Sequence, residues 1–330
     1  MILLERKTSS VRTLSMLGQR GVFGMTLDEL AKGNEKVFAL SADLKNTSGL
    51  DRFATNHPES FVNVGIAEQN MIGIAAGLAD SGYIVFAATF ANFAALRACE
   101  FVRHFMGYMR SPIKLVGFAA GFAMEFFGNT HYGVEDIAAL RSISNMSIIS
   151  PADGLETAKA VAALIDFDAP VYLRLTGTAN MPIVYTDEYD FQIGKAVTLR
   201  DGDDAVLVSC GSMVANTLEA AILLEDYGIS CSVINMHTIK PLDTNTLDEY
   251  LPGKRNVFTV EEHNTIGGLG SAVAEYLSEK QNPPVLNRLG IVQGYKKAGG
   301  YKFMLEQNGL LPQQIASTVL SKSKYQSNHL

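Results

Sequence analysis

Short β-rich runs alternate with helix-length apolar patterns along most of this chain, and the alternation limits what it can fold into. Strand candidates read "KVFALSA" (36–42), "FVNVG" (61–65), "YIVFAAT" (83–89), "IKLVGF" (113–118), "MSIIS" (146–150) and "PVYLRL" (170–175). Helical patterns fill 67–81, 91–109, 134–143 and 153–166 between them. In the first of these, Met71, Ile74, Ala75 and Leu78 recur at the period of one helix face. A strand, a helix and a further strand in succession pack as a parallel sheet covered by helices, so the sequence predicts an α/β layer fold.

After Leu175 the texture changes. The segment "TGTANMPIVYTDEYDFQIG" (176–194) mixes Gly, Pro, polar and acidic residues without a period and reads as a crossing between domains. The pattern then restarts with "DAVLVSC" (204–210), "SCSVIN" (230–235), "NVFTVEE" (256–262) and "VLNRLGI" (285–291). Helices are expected around 213–227, 243–250, 268–280 and 311–322. The expected organisation is two three-layer α/β domains with mainly parallel sheets: residues 1–180, a linker at 181–192, and residues 193–330.

Composition narrows the setting. Of 330 residues, 47% are hydrophobic and 18% charged, which suits two packed cores and argues against disorder. A net charge of −7 leaves no basic footprint for nucleic acid. The longest apolar stretches, near 83–96 and 115–124, fall short of the ~20 residues a membrane span needs. The opening "MILL" is too short an apolar run for a signal peptide. Cys99, Cys210 and Cys231 are isolated, odd in number and without metal-ligand spacing, which reads as reduced thiols. The expectation is a cytoplasmic protein with neither membrane nor nucleic acid as a partner.

The stretch "FVNVGIAEQNMIGIAAGLA" (61–79) places one acid, Glu68, among apolar residues where a strand runs into a helix. An acid in a helix's first turn is favoured by the macrodipole, worth ~0.3–1 kcal/mol. That alone would account for it. The neighbours Val64, Ile66, Met71 and Ile72 allow a second reading: a carboxylate in a dry setting, suited to share a proton with a nitrogen base. In "ATFANFAALRACEFVRHF" (88–105), Phe90 and Phe93 lie three apart at a strand-to-helix junction. They are either core packing or a wall for a flat heterocycle. His131 follows a Gly-Asn turn in a loop beyond the strand at 113–118, the end of an open α/β sheet where ligand sites concentrate. It is either a satisfied packing histidine or part of such a site. Asp153 in "PADG" reads as a helix N-cap.

Taken together, "NVGIAEQNMIGIAAGLA", "ATFANF", the run from "TH" through "EDIAALRSI" to "PADG", and "PVYLRL" are similar to the pyrimidine-binding domain of transketolases. "VLVSCGSMV", "EEHNTIGGLGSAVAEYL" and "RLGI" resemble the C-terminal domain of the same family. The resemblance spans about residues 10–320. It implies a thiamine-diphosphate enzyme in which Glu68 bonds to the cofactor's pyrimidine and His131 faces the reacting sugar. It also implies a cofactor-binding set of Glu68, Phe90, Phe93, Leu96, Asp43 and Ile66. No Gly-Asp-Gly motif for a magnesium site is present. The chain therefore looks like the C-terminal half of a transketolase encoded as two subunits. The expected partner is a separate N-terminal diphosphate-binding subunit holding Mg²⁺ (or Ca²⁺), assembled as an α2β2 heterotetramer that takes a small-molecule ketose donor. The sequence departs from the family at Ala119, at Phe127, and at Thr176 and Gly177, where relatives have a His, an acid and a phosphate-binding Arg. The resemblance thus implies an intact cofactor half and an altered acceptor half. Two other readings share the fold: an E1 β subunit of a 2-oxo acid dehydrogenase, and a non-catalytic scaffold.

Overall fold

The computed structural model describes residues 8–324; the opening stretch read above for a signal peptide lies mostly outside the described residues. The strands are β1 Val37–Ser41, β2 Phe61–Asn63, β3 Ile84–Phe90, β4 Lys114–Ala120, β5 Ser147–Ile149, β6 Val171–Thr176, β7 Val197–Arg200, β8 Ala205–Ser209, β9 Cys231–Asn235, β10 Thr238–Lys240, β11 Asn256–Asn264 and β12 Val285–Ile291. They form two sheets, ordered β10-β5-β6-β4-β3-β1-β2 and β12-β11-β8-β9-β7. Neighbours run parallel throughout, except that β10 is antiparallel to β5 and β7 to β9. The fold is α/β with mainly parallel sheets, as the alternation required. Side chains on both faces of β4, β6 and β8 are almost all buried, as expected of strands covered by helices on two sides.

Every strand expected from the sequence is present, within two residues at its ends. β7 and β10 were not anticipated. They are short antiparallel edges whose pairing depends on tertiary docking rather than on a local pattern. β10 comes from the second half of the chain yet completes the first sheet, with Thr238 opposite Ile149 and Lys240 opposite Ile148. The helix Thr8–Ala31 was also not anticipated. It is interrupted at Gly18, whose φ of 68° and ψ of 170° leave the helical region. A Cβ there would lie 2.8 Å from the Thr178 carbonyl oxygen, so glycine is needed on both counts.

The segment between β6 and β7 has no regular structure, but it is pinned. Asp153 caps the helix Gly154–Ala163 through Glu156 N–H at 2.9 Å, and its other oxygen accepts Val184 and Tyr185 N–H at 2.9 Å each. Buried Glu156 accepts from Tyr189 at 2.7 Å and from Asn235 of β9 at 2.9 Å. Burial pushes its carboxyl up, and these donors draw it back. One helix of the first half thereby holds both the crossing segment and the second sheet.

A second seam lies behind the loop that carries His131. Arg174 of β6, fully buried, donates from Nε to Asp136 Oδ2 at 2.7 Å and from Nη2 to the carbonyls of Gly133 and Glu262 at 3.0 Å. Tyr172 donates to the same Asp136 oxygen at 2.7 Å. His263 of β11 accepts Ala138 N–H and bonds the Asn264 carbonyl. Burial pushes its imidazole down to about 4. These bonds fix the start of the helix Asp136–Arg141 and hence the loop before it.

Candidate active site

The carboxyl ends of β1, β2, β3 and β4 open on one edge of the first sheet, and the expected site residues gather there. Gly65, at φ +74°, turns the chain from β2 into the helix Glu68–Asp80. Glu68 is the first residue of that helix and only 2% exposed. No side-chain cap serves this helix start, so the carboxylate sits beside free N–H groups and the positive end of the dipole. Its Oε1 accepts from Arg97 Nη1 at 2.7 Å. No described residue bonds to Oε2.

Residues 91–109 were expected as one helix. They form instead two π-helical turns, Phe93–Arg97 and Val102–Tyr108, around a single α turn at Cys99–Phe101. The first π turn follows closely on β3 and sets an aromatic cluster. Phe90 and Phe93 meet edge to face with centroids 5.8 Å apart, and Phe90 packs on Phe118 of β4 at 4.9 Å. His131 joins them at 5.9 Å from Phe90, 5.5 Å from Phe93 and 5.3 Å from Phe127. Its loop is anchored by Asn92, which donates to the Thr130 carbonyl at 2.8 Å, and its Nδ1 lies 2.9 Å from Thr130 Oγ1. Arg97 ties the acid to the aromatics, because its guanidinium carbon lies 3.8 Å from the Phe93 ring centroid.

The structure therefore brings Glu68, Phe93 and Phe90 together with His131. The other expected residues stand further out. Ile66 is 78% exposed and Leu96 53%. Asp43, exposed at φ +61° just past β1, accepts from Asn63 Nδ2 at its Oδ1 at 3.1 Å and donates its own N–H to Asn63 Oδ1 at 3.0 Å. Phe126 and Phe127 are also solvent-facing, so the mouth of the site carries a band of exposed apolar side chains.

The altered positions line a cavity of about 130 Å³ with Gly18, Gln19, Arg20, Ala119, Thr176 and Gly177 on its wall. Arg20 is exposed there, and its side chain makes no hydrogen bond or ion pair among the described residues. Sequence reasoning missed it. The available signal was an arginine set between Gly18 and Gly21, in a stretch otherwise read for no chemistry. Arg174 cannot serve in its place, because its donors are spent on Asp136 and two carbonyls inside the protein.

Chemically, a buried carboxylate with one unbonded oxygen beside aromatic faces and an imidazole suits a flat heterocycle with a ring nitrogen and an N–H. That donor set fits the pyrimidine half of thiamine diphosphate. Among the described residues no group of three or more His, Cys, Asp or Glu side chains is arranged to hold a metal ion. No helix among them is long and apolar enough to cross a membrane.

Comparison with known proteins agrees with this geometry. Residues 15–180 match the transketolase pyrimidine-binding domain and residues 194–314 the transketolase C-terminal domain. One of the two chains of apulose-4-phosphate transketolase from Phocaeicola vulgatus is 37% identical over 307 residues, covering 93% of this chain and 97% of that protein. A 6-deoxy-6-sulfo-D-fructose transketolase subunit from a Clostridium species is 38% identical over 290 residues, covering 87% and 88%. The solved structure of a split gene transketolase, an inactive β4 tetramer, superposes with a TM-score of 0.82 at 38% identity, covering 92% of this chain and 97% of that one. The likeness favours neither a 2-oxo acid dehydrogenase subunit nor a scaffold. The chain belongs to the transketolase family, as a C-terminal subunit of its split, thiamine-diphosphate-dependent members.

Proposed function

We propose that this chain works with a separate N-terminal diphosphate-binding subunit, as an α2β2 assembly, to transfer a two-carbon ketol unit from a ketose donor to an aldehyde acceptor with an anionic terminus. The observation that carries the reading is Glu68, buried at the end of the first sheet with one free oxygen beside Phe90, Phe93 and His131. Thiamine diphosphate, when bound, supplies the nucleophilic carbon and the electron sink for such a transfer.

The residues of this chain supply orientation and proton handling. Glu68 Oε2 holds the proton-bearing side of the pyrimidine, while Phe90 and Phe93 give it an aromatic wall with Leu96 and Ile66 at the edge. His131 is held by the Asn92 and Thr130 contacts within reach of the reacting sugar and can give or take a proton there. Asp43 stands at the rim, beside the cofactor and the second subunit. The exposed apolar band of Ile66, Leu96, Phe126 and Phe127 fits burial by that subunit. The diphosphate and its Mg²⁺ would be held by the partner, as no described cluster here offers ligands for the ion. Localisation in the cytoplasm and a role in carbohydrate metabolism go with this reading.

Arg20 revises the expectation of a lost anion grip. It presents a charged donor in the same cavity as Ala119 and Gly177, where the family's usual polar contacts are absent. The names of the two relatives, one a 4-phosphate and one a 6-sulfo sugar transketolase, support an anionic sugar terminus as the feature to recognise. The test is reconstitution with a diphosphate-binding subunit, thiamine diphosphate and Mg²⁺. Ketol transfer from a ketose phosphate, absent with either chain alone, is the expected result. Decarboxylation of 2-oxo acids in place of ketol transfer would overturn it.

A further inference from the structure

Arg97 is not accounted for by the roles assigned so far. Its Nη1 donates to Glu68 Oε1 at 2.7 Å, with the Glu68 side chain 2% exposed and that of Arg97 40%. Its guanidinium lies over the Phe93 ring at 3.8 Å from the centroid. Two independent contacts, one ionic and one cation–π, therefore hold the same planar group. The backbone contributes a third feature. Arg97 ends the π turn Phe93–Arg97, closed by Ala98 N–H to the Phe93 carbonyl at 3.1 Å. Such turns insert a residue into a helix and re-aim the side chains around it, and they are frequent at functional sites.

We infer that Arg97 is a positioning residue for Glu68, an inference that rests on Glu68 being the pyrimidine-binding acid. By occupying Oε1, Arg97 stops the carboxylate from rotating and leaves Oε2 as the oxygen available to a ligand. By stacking on Phe93, it fixes the spacing between that oxygen and the aromatic wall, so acid and ring present themselves as one preformed unit. The positive charge also compensates a carboxylate that would otherwise be buried alone at the moment the cofactor enters.

The test uses the reconstituted two-subunit complex. Cofactor affinity is measured by calorimetry with thiamine diphosphate and Mg²⁺, and kcat and KM are determined separately, for Arg97→Ala, Arg97→Lys, Glu68→Gln and the double variant. Loss of a charged hydrogen bond predicts a roughly ten- to hundredfold weaker cofactor affinity in Arg97→Ala. Arg97→Lys, which keeps the charge without the planar face, recovers part of it. The two substitutions are non-additive, because in the Glu68→Gln background Arg97 has less to hold. If Glu68→Gln is near wild type, the reading of the site fails. If Glu68→Gln is inactive while Arg97→Ala binds cofactor and turns over as wild type, only the positioning role fails. Tighter cofactor binding by Arg97→Ala would also overturn it, since Arg97 would then be an obstacle that the cofactor must displace.

Discussion

Arg174 and Asp136 form an ion pair at 2.7 Å inside the protein, with both side chains at 2% exposure or less. Asp136 lies five residues beyond His131, and Arg174 also holds the carbonyls of Gly133 and of Glu262 in the second half. The Arg174 guanidinium and the nearby donors hold the Asp136 carboxyl below the usual carboxylate range against its burial. The pair therefore links the His131 loop to both sheets, while the cost of desolvating the two charges offsets most of their attraction.

Removing one partner should expose that balance. Arg174→Met leaves the Asp136 carboxylate buried without its cation and two carbonyls without donors. The expected loss is about 3–5 kcal/mol of stability. Denaturant unfolding of the variant beside wild type measures it, and a loss below about 1 kcal/mol would mean the pair contributes little beyond packing.

His237 gives a pH prediction. Its ring is fully buried and stacked on Phe191 at 4.4 Å, and burial pushes it down to about 4. A folded-state value below the unfolded ~6.5 means that the unfolded chain binds the proton first. This group's contribution to stability is thus fully present above pH ~6.5 and is lost as pH falls toward 4. His237→Phe should make the stability loss between pH 7 and pH 4.5 smaller by about 2 kcal/mol. Unfolding curves at both pH values test it, and equal losses in the two proteins would contradict it. Buried Glu261, pushed up to about 7, acts in the opposite sense over the same range, so the difference between proteins is the informative quantity.

Arg20 makes a prediction about specificity. Arg20→Ala should raise KM for a phosphate- or sulfonate-bearing substrate by roughly one to two decades, the value of a charge-assisted hydrogen bond. Uncharged analogues should be unaffected. Comparable effects on charged and uncharged substrates would remove the residue from anion recognition.

The strands were legible because each is a short β-rich run bounded by turn residues, and ten such runs fell where the structure has strands. Their parallel pairing followed from the helices between them. β7 and β10 were not legible. Three or four residues carry no period of their own, and β10 is a strand only because β5 offers an edge. The helix Thr8–Ala31 escaped because Gly18 breaks its apolar period in the middle, and Arg20 escaped with it. Glu68, Phe90, Phe93 and His131 were readable from the acid in an apolar junction and from the family resemblance. The Glu68–Arg97 bond was not. It depends on the π turn at 93–97, which places Arg97 differently from the regular helix that the sequence predicts over 91–109.

The central claim is that Glu68 handles the cofactor's pyrimidine and is more than a charge at a helix start. The most direct measurement is turnover of the Glu68→Gln variant in the reconstituted complex at saturating thiamine diphosphate and Mg²⁺, with assembly checked by sedimentation. The substitution keeps the size and one acceptor oxygen, so the fold and the partner contact should survive. The account expects kcat to fall about 10²–10⁴-fold, the usual contribution of a proton-transferring side chain. Turnover within a few-fold of wild type would contradict it and leave Glu68 with only its favourable place on the helix dipole.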